Sequence, residues 1–393
     1  MLNAMSFPSS LARGYPDRAA PVAAPAQPVT ALPALAARGR SAAPWLVAVL
    51  AVVLLCLISY FTQTLGTAAS AVGMVVALFP MAGVLLAVKL VDRWEPEPRS
   101  LLVLAFAWGA IAAVGIALGV DLLLSIGFGL SDSPAREAMQ SVIQAPIVEE
   151  FAKGLGVFLI YVTARRAFDG PVDGIVYGAM VAAGFAFTEN IQYFAISAIE
   201  GGARELTFTF ILRGILSPFA HVMFTAVTGY ALGLAARRGA SAAAAVRPWV
   251  VGMVGAALLH ALWNGSAQFS DFFSLYVTLQ VPLFLLFILG VVLLRREEER
   301  LTRQRLGEYA SAGWFTPQEV DMLATPRGRR SAMAWARTLR GDRSAVMKGF
   351  IADATTLAAA RQRIVTGRDP GAAADQQVLL ARTVAARRAL FAP

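Results

Sequence analysis

Eight stretches of about 20 apolar residues, parted by short polar connections, constrain this chain more than anything else in it. A run of that length crosses the roughly 30 Å hydrocarbon core of a bilayer as a helix. In lipid each backbone amide must be satisfied within the segment, so such runs fold as helices. They cover approximately residues 45–62, 68–90, 101–125, 138–162, 172–196, 206–235, 248–267 and 272–294. The expected fold is therefore all-α, a polytopic transmembrane helical bundle of about eight spans over residues 44–294. An arm over residues 1–43 precedes it, and a basic helical cytoplasmic tail over residues 295–393 follows. The chain is 57% apolar and 15% charged over 393 residues, with mean hydropathy +0.62, the balance of an integral membrane protein. Its single cysteine, Cys56, lies in an apolar run, so neither a disulfide framework nor a thiolate metal cluster is available.

Lys and Arg in the loops set the orientation. Arg13, Arg18, Arg38 and Arg40 lie in the Pro- and Ala-rich arm, Lys89, Arg93 and Arg99 around the second connection, Arg165 and Arg166 in the fourth, and Arg237, Arg238 and Arg247 in the sixth. The odd connections carry little beyond Arg136 and Arg204. Both termini are thus expected in the cytoplasm, with the protein multi-pass in the cell membrane. The net charge of +9 reports this orientation and does not point to nucleic acid. The arm has no early apolar core, so it reads as a disordered cytoplasmic segment and not as a cleavable signal. In the second connection, Asp92-Arg-Trp-Glu-Pro-Glu-Pro-Arg99, Trp94 reads as an interface anchor and the prolines as helix stops.

The fourth span is the least hydrophobic and the most informative. Glu149, Glu150 and Lys153 sit inside it, and ionisable residues within a membrane span mark a functional site by default. Lys153 is four residues after Glu149 and three after Glu150, within reach of either on a helix. Pro146, one turn earlier, is placed to kink the helix. The fifth span carries Phe185 and Glu189 on one face, followed by Asn190; the sixth carries Arg213 and His221; the seventh carries His260 and Asn264 on one face. At 1.5 Å per residue, Glu149, Glu189, His221 and His260 lie about 16, 25, 22 and 18 Å down their spans. Four helices are therefore expected to converge on one polar centre near mid-membrane.

Taken together, Glu149-Glu150-x-x-Lys153, Phe185-x-x-x-Glu189-Asn190, His221 and His260-x-x-x-Asn264, with the Glu95-Pro-Glu-Pro98 turn, resemble the PrsW family of intramembrane proteases. That family is similar to the CAAX-processing and bacteriocin-immunity membrane proteases. The resemblance covers roughly residues 68–294 and leaves out the arm and the tail. It implies cleavage of membrane-anchored proteins, with site-one cleavage of an anti-sigma factor as the activity that typifies the family.

Peptide hydrolysis needs a base for water, a donor for the oxyanion and an acid for the leaving amine. Glu149 is the first candidate for base and Glu150 the second. His221 would share that role or protonate the amine, His260 with Asn264 would polarise the carbonyl, and Glu189 would orient a histidine or bind water. Lys153, Phe185 and Asn190 support them. The same groups suit a metal: Glu149, Glu189, His221 and His260 are ordinary zinc ligands, and the resemblance carries a metalloprotease classification with it. There is no His-Glu-x-x-His helix, and ligands scattered over four helices favour a metal-free glutamate mechanism. Two other readings use the same residues. One is a proton-coupled transporter, against which the lack of an evident inverted repeat argues; the other is a silent scaffold whose polar groups only pack helices. In the tail, Thr316-Pro-Gln-Glu319 has the form of a capping box, and Asp369-Pro-Gly371 marks a turn. The tail holds no catalytic constellation and is assigned to anionic lipid, a protein partner, or a solvated helical extension.

Overall fold

The computed structural model describes residues 44–128, 133–269, 271–367, 369 and 371–392; the arm over residues 1–43 lies outside them. Every regular element among the described residues is helical. The chain divides after Leu294 into two compact units.

The first unit holds α1 (Pro44–Thr64), α2 (Thr67–Val91), α3 (Arg99–Ala107), α4 (Val114–Phe128), α5 (Pro134–Met139), α6 (Ala145–Thr163), α7 (Pro171–Phe210), α8 (Ala220–Arg237), α9 (Ala242–Phe269), α10 (Phe272–Leu275) and the start of α11 (Val281–Ser311). Among the described residues four π-helical segments interrupt these runs, at Trp108–Ala113, Gln140–Gln144, Ile211–Leu216 and Tyr276–Gln280. Such segments widen a helix locally and recur at functional sites.

Six helical stretches among the described residues are long and apolar enough to cross a membrane: Pro44–Thr64, Thr67–Val91, Arg99–Gly127, Pro171–Arg237, Ala242–Gln268 and Phe272–Ser311. The difference from eight has two physical causes. Pro171–Arg237 holds 67 residues, about 100 Å of helix at 1.5 Å per residue, far more than one crossing needs. The chain doubles back inside it at Gly202, whose φ of 61° and ψ of −145° are non-helical and favour a residue without a Cβ. Beyond that point Ser197 Oγ meets Thr209 Oγ1 at 2.7 Å, and the rings of Phe194 and Phe210 lie 6.0 Å apart. The other cause is α6, in which Glu149, Glu150 and Lys153 make the helix too polar to stand among these six. Pro146 falls at the start of α6, so the expected kink appears as a helix boundary after Gln140–Gln144.

α7 is the axis of this unit. Residues 171–185 are almost continuously buried, enclosed by Val84 and Val88 of α2, Leu101 and Ala105 of α3, Val157 and Ile160 of α6, and Leu232 and Ala235 of α8. Small residues let the backbones meet, as they must where lipid supplies no hydrophobic drive. A Cβ on Gly174 would strike the carbonyl of Gly229, and one on Gly229 would strike that of Gly174. Gly109, in the π-helical turn after α3, lies as tightly against Val181 of α7.

In the α2–α3 connection Asp92 Oδ1 accepts from the Glu97 amide at 3.0 Å, and Glu97 Oε2 accepts from the Tyr177 hydroxyl at 2.5 Å. Trp94 is 5% exposed: it anchors this connection into the protein, where the sequence suggested an interface anchor. Burial first, and then the neighbouring Asp173 carboxylate, push the Glu97 carboxyl well above the usual carboxylate range.

The second unit packs the last turns of α11 with α12 (Pro317–Leu323), α13 (Pro326–Thr338), α14 (Ser344–Val365) and α15 (Ala372–Phe391). Its core of Leu306, Leu323, Met347, Phe350, Leu357 and Leu379 is that of a folded helical domain. The capping box forms as the sequence indicates: Thr316 Oγ1 accepts from the Glu319 amide at 3.1 Å, and Glu319 Oε2 accepts from the Thr316 amide at 2.8 Å. Arg387 Nε donates to Glu319 Oε1 at 2.7 Å, which ties the last helix to this cap.

Candidate functional site

α6 brings Glu149, Glu150 and Lys153 to one place because they lie within about one helical turn. Its backbone is fixed from both sides, since Trp108 Nε1 donates to the Ala152 carbonyl at 2.9 Å and Trp249 Nε1 to the Gly154 carbonyl at 2.8 Å. α7 contributes Phe185 and Glu189, and α9 contributes His260. His221 comes from the first turn of α8, directly after the break at residues 217–219. That break frees the chain to present His221 across from α6.

Glu150 and Lys153 are wholly enclosed. Lys153 Nζ lies 2.5 Å from Glu150 Oε1 and 3.4 Å from Glu149 Oε2, and 4.1 Å above the centre of the Phe185 ring. Glu150 Oε1 also faces His260 Nδ1 at 3.2 Å, while its Oε2 accepts from Thr225 Oγ1 at 2.8 Å. The carboxylate can only accept, so His260 carries its proton on Nδ1 and leaves Nε2 free. The His260 ring stacks on Phe224, with centroids 4.9 Å apart. Glu150 is thereby saturated by three donors.

Glu149 is different. Its side chain keeps 12% of its surface open, as does that of His221. Glu149 Oε2 is 4.0 Å from His260 Nδ1. His221 Nδ1 lies 3.2 Å from Lys153 Nζ, and its Nε2 lies 2.9 Å from Glu189 Oε2. An ammonium has no lone pair to accept with, so His221 Nδ1 is the unprotonated nitrogen and Nε2–H donates to Glu189. The rings of His221 and His260 meet edge to face at 5.0 Å. One network thus joins Glu149, Glu150, Lys153, Phe185, Glu189, His221 and His260.

Two residues singled out by sequence lie at its edge. Asn264 Nδ2 donates to the Ser141 carbonyl at 2.8 Å, tying α9 to the π-helical turn before α6. Asn190 Oδ1 accepts from Arg213 Nε at 2.8 Å. Sequence reasoning gave Arg213 no role and passed over Thr225. Both carried a signal: Arg213 is an ionisable residue within a span, and Thr225 lies four residues after His221, on the same helical face.

Ligand atoms of Glu149, His221 and His260 lie within 4.8 Å of one another. One carboxylate and two imidazoles are donors that suit zinc, so the set fits a divalent ion in kind. Lys153 Nζ stands 3.4 Å from Glu149 Oε2 and 3.2 Å from His221 Nδ1, so its positive charge lies beside any ion that this trio would hold.

The fold and this centre define a class, a polytopic helical membrane protein with a carboxylate and histidine cluster buried among its spans. Residues 97–289, just under half of the chain, match the family model described as PrsW family intramembrane metalloprotease. The chain is 35% identical over 144 residues to a Protease PrsW of Geobacillus kaustophilus (strain HTA426), a stretch covering 37% of this chain and 58% of that protein. It is 33% identical over 140 residues to that of Clostridioides difficile (strain 630), covering 35% and 56%, and 27% identical over 173 residues to that of Bacillus subtilis (strain 168), covering 44% and 72%. The chain spans a little over half the length of the first of these relatives. No solved structure matches it.

Proposed function

We propose that this protein is an intramembrane peptidase that hydrolyses membrane-anchored protein substrates, with Glu149 as the central catalytic group. The observation that carries the reading is the contrast between the two adjacent carboxylates. Glu150 is consumed by Lys153, His260 and Thr225, whereas Glu149 lies beside it partly open and facing two imidazoles. A scaffold needs no such division, and hydrolysis does, because one group must stay rigid while its neighbour handles a proton.

In this mechanism Glu149 takes a proton from the attacking water and returns it to the leaving amine. Glu150 holds His260 and Lys153 in place, and the Lys153 ammonium offsets negative charge gathering at the scissile carbonyl. His221, oriented by Glu189, keeps the lone pair of Nδ1 turned into the cluster. Glu149, His221 and His260 are also the residues that would hold a metal, zinc being the ion such donors suit; when bound it would supply Lewis-acid polarisation and a more acidic water. Asn264 supports the site by fixing the turn before α6. The family resemblance makes an anti-sigma factor the first substrate to try, cut in a site-one manner. The loop charges support a multi-pass protein of the cell membrane with both termini and the C-terminal unit in the cytoplasm.

The test incubates purified wild type and Glu149→Gln with single-span substrates in proteoliposomes. Glutamine keeps the size and loses the proton acceptor, so cleavage should fall by at least about 100-fold while the variant remains folded and inserted. Cleavage by Glu149→Gln at the wild-type rate would remove the hydrolase reading. Repeating the assay after exhaustive chelation and after zinc addition assigns the trio: loss with zinc rescue makes it a metal site, and indifference makes it metal-free.

A further inference from the structure

The polar network does not end at Glu189. On its far side lies Arg213, from the π-helical segment just before the break that precedes α8. Its guanidinium uses two corners of its fork: Nε donates to Asn190 Oδ1 at 2.8 Å, and Nη2 pairs with Glu189 Oε2. The plane rests on the Tyr193 ring, 3.8 Å from its centre. All three partners lie within about one turn of α7. Glu189 Oε2 is also the atom that accepts from His221 Nε2, so a single carboxylate oxygen links Arg213 to the imidazole.

From this geometry we propose that Arg213 is a positioning residue: through Glu189 it fixes the ring of His221 in the tautomer protonated on Nε2, which leaves Nδ1 facing Lys153. The argument runs through constraint. Glu189 alone could rotate and offer either oxygen to a neighbour. With one oxygen held by a planar fork, itself clamped by Asn190 and Tyr193, its direction is set, and so is the nitrogen of His221 that bears the proton. A lysine would supply charge without the fork and could hold only one of the two partners. The hydrogen-bond and ring partners of Arg213 are Asn190, Glu189 and Tyr193 and not Glu149, so its positioning effect on the reaction passes through Glu189 and His221.

The inference uses the hydrolase reading only for its kinetic readout; the other readout is independent of activity. The chain contains two histidines, so selective ¹⁵N labelling of histidine reports two rings. Wild type should show one ring protonated on Nε2 and the other on Nδ1, assigned as His221 and His260 by a His260→Gln sample. In Arg213→Gln the His221 ring should lose its preference and exchange between tautomers. Cleavage should drop about 10- to 100-fold, the range for groups that orient a reactive histidine, with the loss in kcat and KM little changed. Arg213→Lys, which keeps the charge inside the bundle, should fall between. An unchanged His221 ring in Arg213→Gln, or an unchanged kcat in a preparation whose wild type cleaves, overturns the proposal. Failure of both variants to accumulate as folded protein overturns it in favour of a packing role. A wild type that cleaves nothing sinks the hydrolase reading, and the tautomer comparison still judges Arg213.

Discussion

Glu149 and Glu150 are neighbours in the chain with the same side chain, and their environments separate them completely. Lys153 belongs to the enclosed member of the pair, at 2.5 Å from Glu150. Removing one partner of a buried ion pair leaves the other charge without compensation, at a cost of roughly 3–5 kcal/mol. We therefore expect Lys153→Met to lower the unfolding midpoint of the detergent-solubilised protein sharply, and Glu149→Gln, at a partly open position, to lower it far less. A Lys153→Met protein as stable as wild type would mean that Glu150 is neutral in the fold. The sequence made this cluster legible because charge is rare within spans, so each of Glu149, Glu150, Lys153, Glu189, His221 and His260 stood out against an apolar ground. It did not show which carboxylate would be closed off, because that depends on Thr225 and His260, which lie 75 and 110 residues away along the chain. Asn264 was drawn toward the centre by its spacing from His260, yet its amide meets Ser141. Helical spacing fixes a face, and the partner on that face comes from tertiary packing.

The helices themselves were readable where apolarity was continuous, and their interruptions were not. The four π-helical segments carry no residue pattern that separates them from ordinary helix, because a π turn arises when neighbours press an extra residue into the ladder. The turn at residues 140–144 is held by Gln140 and Gln144, whose amides donate to Asp121 Oδ1 of α4 at 2.6 and 3.1 Å. By contrast the capping box at Thr316 was legible, since its chemistry lies within four residues. The α2–α3 connection makes a prediction of its own. Glu97 is buried beside Asp173 and Tyr177, and its carboxyl is held well above the usual range. The folded chain binds that proton more tightly than the unfolded chain does. The resulting stability is present in full below the ordinary glutamate value of about 4.3 and is lost as pH rises through the raised folded value. Thermal stability followed across this window should decline with pH in wild type and decline less in Glu97→Gln, which carries no titrating proton. Parallel curves for the two proteins would show that Glu97 is not the group responsible.

At the scale of the molecule, the orientation that the loop charges imply is open to a direct test. Reporter fusions after Arg166, Arg238 and Arg300 should behave as internal and a fusion after Gly202 as external, because α7 and the stretch returning from Gly202 form an antiparallel pair. An internal signal at Gly202 would contradict that arrangement of eight crossings. This pairing bears on how the protein is made. α7 leaves the ribosome before any of α8 exists, carrying Glu189, Asn190 and Thr188 on its surface, together with glycine faces shaped for a backbone that has yet to arrive. Alone in lipid it would expose all of them. Gly202 therefore acts as the bend of a hairpin whose two arms cover each other's polar groups and glycine faces once both lie in the bilayer.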